Sequence, residues 1–157
     1  PNMQAKIGWL VEQTERLTGL DHFGVYLTAL FEADMLFGNE DRHLNNIAVL
    51  RRGEVFDYCP MFDFGAGLLS NVCDYPMDVE PKVLLSQLHA QPMNAQFVRQ
   101  VHAAQANYGA QIRYDSSRED IVNALAEPLA FYAERDRSYI SDRVLFCIQT
   151  QYRKLKK

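Results

Sequence analysis

The chain has 157 residues, enough for one domain with a substantial core and too few for two. Apolar residues make up 48% and charged residues 23%, the balance of a folded globular protein, which excludes disordered and fibrous classes. No apolar run approaches the roughly 20 residues that span a bilayer, and no signal-peptide pattern opens the sequence.

Cys59, Cys73 and Cys147 are odd in number and widely spaced. They read neither as a disulfide framework nor as a zinc site, so a reducing, cytoplasmic setting is expected. The net charge of −4 hides an asymmetry: residues 1–134 carry 18 acids against 9 bases, whereas residues 135–157 carry 7 bases against 2 acids. The acidic middle suits a bound cation or a basic partner and disfavours nucleic acid. The basic end, Arg153 to Lys157, could touch nucleic acid or a membrane, but the stronger reading is cations complementing a helix C-terminus.

In chain order, Ile7, Leu10, Val11, Thr14 and Leu17 form a helical stripe over 4–18, which Gly19 ends. Asp21 is expected to cap a second helix over 22–37, with Tyr26, Ala29, Leu30, Ala33 and Phe37 inward. That helix stops at Gly38-Asn39. Ile47–Leu50 and Val55–Tyr58 read as two short strands joined through Gly53. An irregular stretch to Pro81 precedes helices expected at 82–90 and 94–108. Ser116-Ser117-Arg118-Glu119 has the capping-box form, and two further stripes follow: Ile121, Leu125, Leu129 and Tyr132, then Ile140, Val144, Cys147, Ile148 and Leu155. Pro128 falls where it would kink or end the first of these helices. The fold class is mainly α with a small central β hairpin, as one domain over 1–157.

The chemistry lies in "GNEDRHLNNIAVL" and "CPMFDFGAGLL", residues 38–50 and 59–69. Asp41 and Asn46 have the spacing of the kinase catalytic loop, and Asp63-Phe64-Gly65 has the form of its metal-binding tripeptide. Phosphoryl transfer needs a carboxylate near the accepting hydroxyl and oxygen ligands that hold magnesium on the phosphates. The hairpin between the two segments would fold Asp63 back beside Asn46. Each signal alone is weak; in this order, with strand, turn and strand between, they reinforce one another. The competing reading has Asp41, Asn45 and Asn46 capping turns and Gly65 serving a tight bend.

"LFGNEDRHLNNIAVL" with "CPMFDFGAGLL" resembles the C-terminal lobe of HipA-like serine/threonine kinases, with residues 30–70 diagnostic. The resemblance implies Asp41 as the catalytic carboxylate, with Asn46 and Asp63 holding Mg2+ or Mn2+ on ATP. His43, in the matching Asp-Arg-His, would bond a phosphate or Asp41, or else pack beneath the loop. Arg42 reads as an ion-pairing strut for the acidic loop. The Phe-Gly after Asp63 is also similar to phosphatidylinositol kinases, which keeps a lipid or small-molecule acceptor open beside a protein Ser/Thr. The resemblance further implies a bacterial toxin–antitoxin setting, with a DNA-binding antitoxin as partner.

No Gly-x-Gly-x-x-Gly occurs, and no strand carries a phosphate-pairing lysine. The chain, which opens at Pro1 rather than Met, is therefore expected to be the C-terminal lobe alone and inactive without its N-terminal lobe. The apolar surface facing that lobe, expected around Val49, Val55 and Phe56, would favour self-association. A non-catalytic interaction module derived from a kinase lobe is the reading from a different class.

Overall fold

Asn2 starts the first helix, its side chain accepting a hydrogen bond from the Ala5 N–H at 2.8 Å. This helix, α1, spans Met3–Thr18 in a computed structural model that describes residues 2–113 and 115–156. Gly19 closes it with a left-handed φ of 71°, the conformation glycine adopts without a Cβ penalty. Ile7 and Val11 are buried, but Leu17 is 71% exposed. At about 100° per residue, Leu17 lies roughly 120° around the helix from Val11, off the buried face.

Helix α2, Phe23–Phe37, is the central element, packed by α1 and by the two later helices α4 (Phe97–Tyr108) and α6 (Glu134–Leu155). Asp21 does not cap it. His22 holds the N-cap position with φ 66°, and the Phe23 N–H is met instead by Glu15 Oε1 of α1 at 2.8 Å. From Leu30 to Leu36 every residue is buried, so α2 has no solvent face there; the expected inward residues Tyr26, Ala29 and Phe37 are only half-buried.

Strands β1, Val49–Arg52, and β2, Val55–Tyr58, pair antiparallel, with Val49 opposite Tyr58 and Arg52 opposite Val55. Gly53 takes φ 64° in the two-residue turn. The first strand starts two residues later than its sequence suggests, because Leu44–Asn46 forms a 3-10 turn ahead of it. This register also corrects the expected apolar patch. Val49 and Phe56 share one face of the hairpin, with Val49 packed on the core and Phe56 half-buried beneath Arg51, while Val55 points the other way and is 69% exposed.

Helix α3 spans Pro81–Gln87, and α4 begins at Phe97 because Ala90 and Ala95 first pair in an antiparallel bridge. Helix α5, Arg118–Leu129, opens with a capping box one residue later than expected: Ser117 and Asp120 form it rather than Ser116 and Glu119. Pro128 sits in its last turn. The first four helices share one core, which includes Phe23, Leu27, Phe31 and Val101. A second cluster of Leu36, Ile121, Val144, Leu145 and Ile148 closes α5 and α6 on the end of α2. The fold is mainly helical with one small hairpin. Among the described residues, no helix is long and apolar enough to cross a membrane. Pro1 and Lys157, the ends of the sequence, lie outside the described residues.

Candidate functional site

Gly38, at φ 63°, ends α2, and the next residue, Asn39, is fully buried. Its side-chain amide donates to Asp34 Oδ1 at 2.7 Å and to the Asp63 carbonyl at 3.2 Å. Arg42 is buried with it. The guanidinium grips the Asp34 carboxylate twice, Nε to Oδ2 at 2.9 Å and Nη2 to Oδ1 at 3.0 Å. Its Nη1 donates to the carbonyls of Asn46 at 2.9 Å and Phe62 at 2.8 Å, and its Cζ lies over the Phe64 ring, 5.0 Å from the centroid. One side chain thus joins α2, the loop after it and the segment after the hairpin. Burial pushes the Asp34 carboxyl upward, and the bonds from Arg42 and Asn39 pull it back.

Asp41 and His43 flank the buried Arg42 and turn outward, with side chains 49% and 61% exposed. His43 Nε2 stands 2.6 Å from Asp41 Oδ1, so the imidazole does not pack beneath the loop. Asn46 lies at the end of the 3-10 turn. Its amide nitrogen donates both to the Asp41 carbonyl at 3.0 Å and to Asp63 Oδ2 at 2.6 Å. Asp63 itself has φ 59°. Asp41, His43, Asn46 and Asp63, separated by as many as 22 positions in the sequence, therefore form one hydrogen-bonded cluster. Asn45 is exposed and outside it.

The donor set is sparse. Among the described residues, no group of three or more His, Cys, Asp and Glu side chains is placed to hold a metal ion. Asp63 offers one carboxylate, and Asn46, its NH2 already engaged, offers its Oδ1. Magnesium that arrives on a nucleotide takes one or two carboxylates and completes its shell with phosphate and water, so this pair fits such an ion and not a permanently held one.

Three supporting residues were not visible as such in the sequence. Asp34 and Asn39 position Arg42 and Asp63, and the Tyr75 hydroxyl bonds Glu40 Oε1, tying the 71–75 turn to the loop. Burial also raises the Glu40 carboxyl. One signal was present: Glu32 and Asp34 interrupt the apolar run of α2, and a buried carboxylate needs either a cation or several N–H donors. Glu32 is met by Gln105 and the Gln111 and Ile112 N–H groups, and Asp34 by Arg42 and Asn39. Arg42 was expected as a strut for the acidic loop, and its partner lies in the preceding helix. No protein-family model, no curated protein and no solved structure matches the chain, so the functional reading rests on this geometry and on the motifs themselves.

Proposed function

We propose that residues 39–65 form the catalytic and metal-binding half of an ATP-dependent kinase cleft like that of HipA-like serine/threonine kinases, and that the protein serves transfer of the ATP γ-phosphoryl group to a protein Ser or Thr. The observation that carries this reading is the Asn46 amide, bonded at once to the Asp41 carbonyl and the Asp63 carboxylate. It makes two short motifs, each weak alone, into one cluster of hard oxygen donors beside an exposed carboxylate. Asp41 would orient the accepting hydroxyl and receive its proton, with His43 holding one carboxylate oxygen. Asp63 and Asn46 would hold Mg2+, which supplies charge neutralisation on the phosphates when bound. A Gly-rich cover and a phosphate-pairing lysine would come from a separate N-terminal lobe. A DNA-binding antitoxin is the partner class that goes with this reading.

The test is a titration of Mn2+ in the presence of a non-hydrolysable ATP analogue, comparing the chain with Asp63→Asn. Weak, saturable binding that falls at least about tenfold in the variant supports the assignment, as expected for the loss of a charged ligand to a divalent cation. Equal binding by both removes Asp63 from the site. The chain alone should show no phosphoryl transfer, and robust transfer without an added lobe would refute the half-cleft reading.

A further inference from the structure

Beyond Asp63 the backbone turns away from the cluster and becomes one wall of a cavity of about 590 Å3, with α5 and α6 as the other. None of Asp41, His43, Asn46 or Asp63 lines it. Its wall is largely apolar, with Leu68, Leu125, Leu129, Ile140 and Val144 contributing. Val72, Tyr132 and Tyr139 also line it and are each more than half exposed. Pockets of roughly 300–1,000 Å3, mostly apolar with a few polar groups, are the usual receptacles of small molecules.

One lining residue stands out by its charge. Arg143 is 5% exposed, and its Nη1 and Nη2 donate to the main-chain carbonyls of Pro76 at 3.1 Å and Tyr75 at 2.8 Å. Its Nε has no hydrogen-bond partner. Among the described residues no carboxylate forms an ion pair with it. Cys147, one turn further along α6, does not compensate it either, because burial pushes that thiol up to about 11 and keeps it neutral. Arg42 supplies the contrast within the same molecule: buried completely, it is neutralised by both oxygens of Asp34. A buried guanidinium without a counter-charge is costly, and an anion brought close in a partly shielded site recovers much of that cost.

The lining contains one carboxylate, Asp136, which lies 3.6 Å from the exposed Arg135. It is two turns before Arg143 on α6, about 10 Å along the axis. A ligand with negative charge at both ends would meet repulsion there.

We propose that this cavity binds a small amphipathic monoanion, a single carboxylate on an aliphatic body of medium length, with its head toward Arg143 and its body between α5 and the 64–72 segment. The inference goes beyond the kinase reading and does not depend on it. Calorimetric titration of the chain with decanoate, decanol and decyltrimethylammonium tests it. Decanoate should bind saturably at one site, at least about tenfold more tightly than decanol, with the cation weakest. Leu129→Trp, at a half-buried position on the last turn of α5, should fill the cavity and weaken decanoate binding at least about tenfold while circular dichroism stays unchanged. Arg143→Gln should bring decanoate down to the level of decanol. If that variant fails to fold, the head-group series and Leu129→Trp decide alone. Absence of saturable decanoate binding, equal affinity for the three head groups, or full binding by folded Leu129→Trp would each overturn the proposal.

Discussion

Replacing Arg42 by Met tests how the site is held together. The change keeps much of the side-chain volume but leaves Asp34, 1% exposed, without its cation. It also strips two main-chain carbonyls, those of Asn46 and Phe62, of their donor. Breaking a fully buried ion pair from one side costs about 3–5 kcal/mol, because the remaining charge stays desolvated. Against a total stability of about 5–15 kcal/mol, that is a large fraction. For a chain of this length, about 2–4 °C per kcal/mol, it corresponds to a fall in Tm of roughly 6–20 °C. Urea unfolding followed by circular dichroism gives the free energy directly. The double variant Asp34→Leu/Arg42→Met should recover part of the loss, since no charge is left buried alone, though the two carbonyls remain unserved. A single variant within about 1 kcal/mol of the parent, or a double variant no better than the single, would refute the account.

Cys73 is exposed and Cys147 is buried with its thiol pushed up to about 11, so iodoacetamide at pH 8 should label Cys73 quickly and Cys147 only on unfolding; equal rates by mass spectrometry would contradict the burial. Hydrogen bonds from the Ser117 side chain and backbone hold the Asp120 carboxyl below its ordinary value of 3.8. Its support of the α5 start is therefore fully present above that value and lost as pH falls through the lower folded value, which amide exchange should register as loss of first-turn protection in strong acid; Ser117→Ala, which keeps the main-chain bond to Asp120, should weaken the dependence and Asp120→Asn should remove it. Gly38 combines φ 63° with a Cβ position 3.0 Å from Leu88 Cδ1, so Gly38→Ala should cost about 1–2 kcal/mol in a urea titration, whereas Gly53→Asn, with open space around it, should be nearly neutral.

Where local chemistry decides, the sequence was legible. Gly19, Gly38 and Gly53 each take the left-handed backbone their positions called for, and the two strands pair across the turn at Gly53 as expected. Errors of one or two residues arose where two local solutions compete. Ser116 with Glu119 and Ser117 with Asp120 both have the capping-box form, and only the second pair meets at bonding distance. Leu17 and the expected patch of Val49, Val55 and Phe56 differ because of facing: Leu17 lies roughly 120° around α1 from Val11, and Val55, next to Phe56 on the strand, takes the opposite face of the hairpin. In the site, the cluster of Asp41, Asn46 and Asp63 follows from motif spacing and a hairpin. The Asp34–Arg42 pair does not, since the Arg could have faced any nearby acid until the fold put α2 behind the loop.

That pair also explains how an unfavourable backbone persists beside the cluster. Asp63, Leu68 and Leu69 are non-glycine residues with φ between 57° and 59°, a conformation costing on the order of 1 kcal/mol or more at each. The segment is held from three directions: Arg42 on the Phe62 carbonyl, Asn39 on the Asp63 carbonyl, and the Leu68 N–H on the Phe37 carbonyl at 2.6 Å. All three anchors belong to the end of α2 or the loop that follows it. The backbone conformation that brings the Asp63 carboxylate to Asn46 is therefore fixed from behind by residues outside the Asp41–His43–Asn46–Asp63 cluster. Position and chemistry thus reside in different side chains. Asp63→Asn alters the donor while leaving the main-chain anchors in place, whereas Arg42→Met leaves the donor intact and loosens its support, so metal affinity and stability should separate between the two variants.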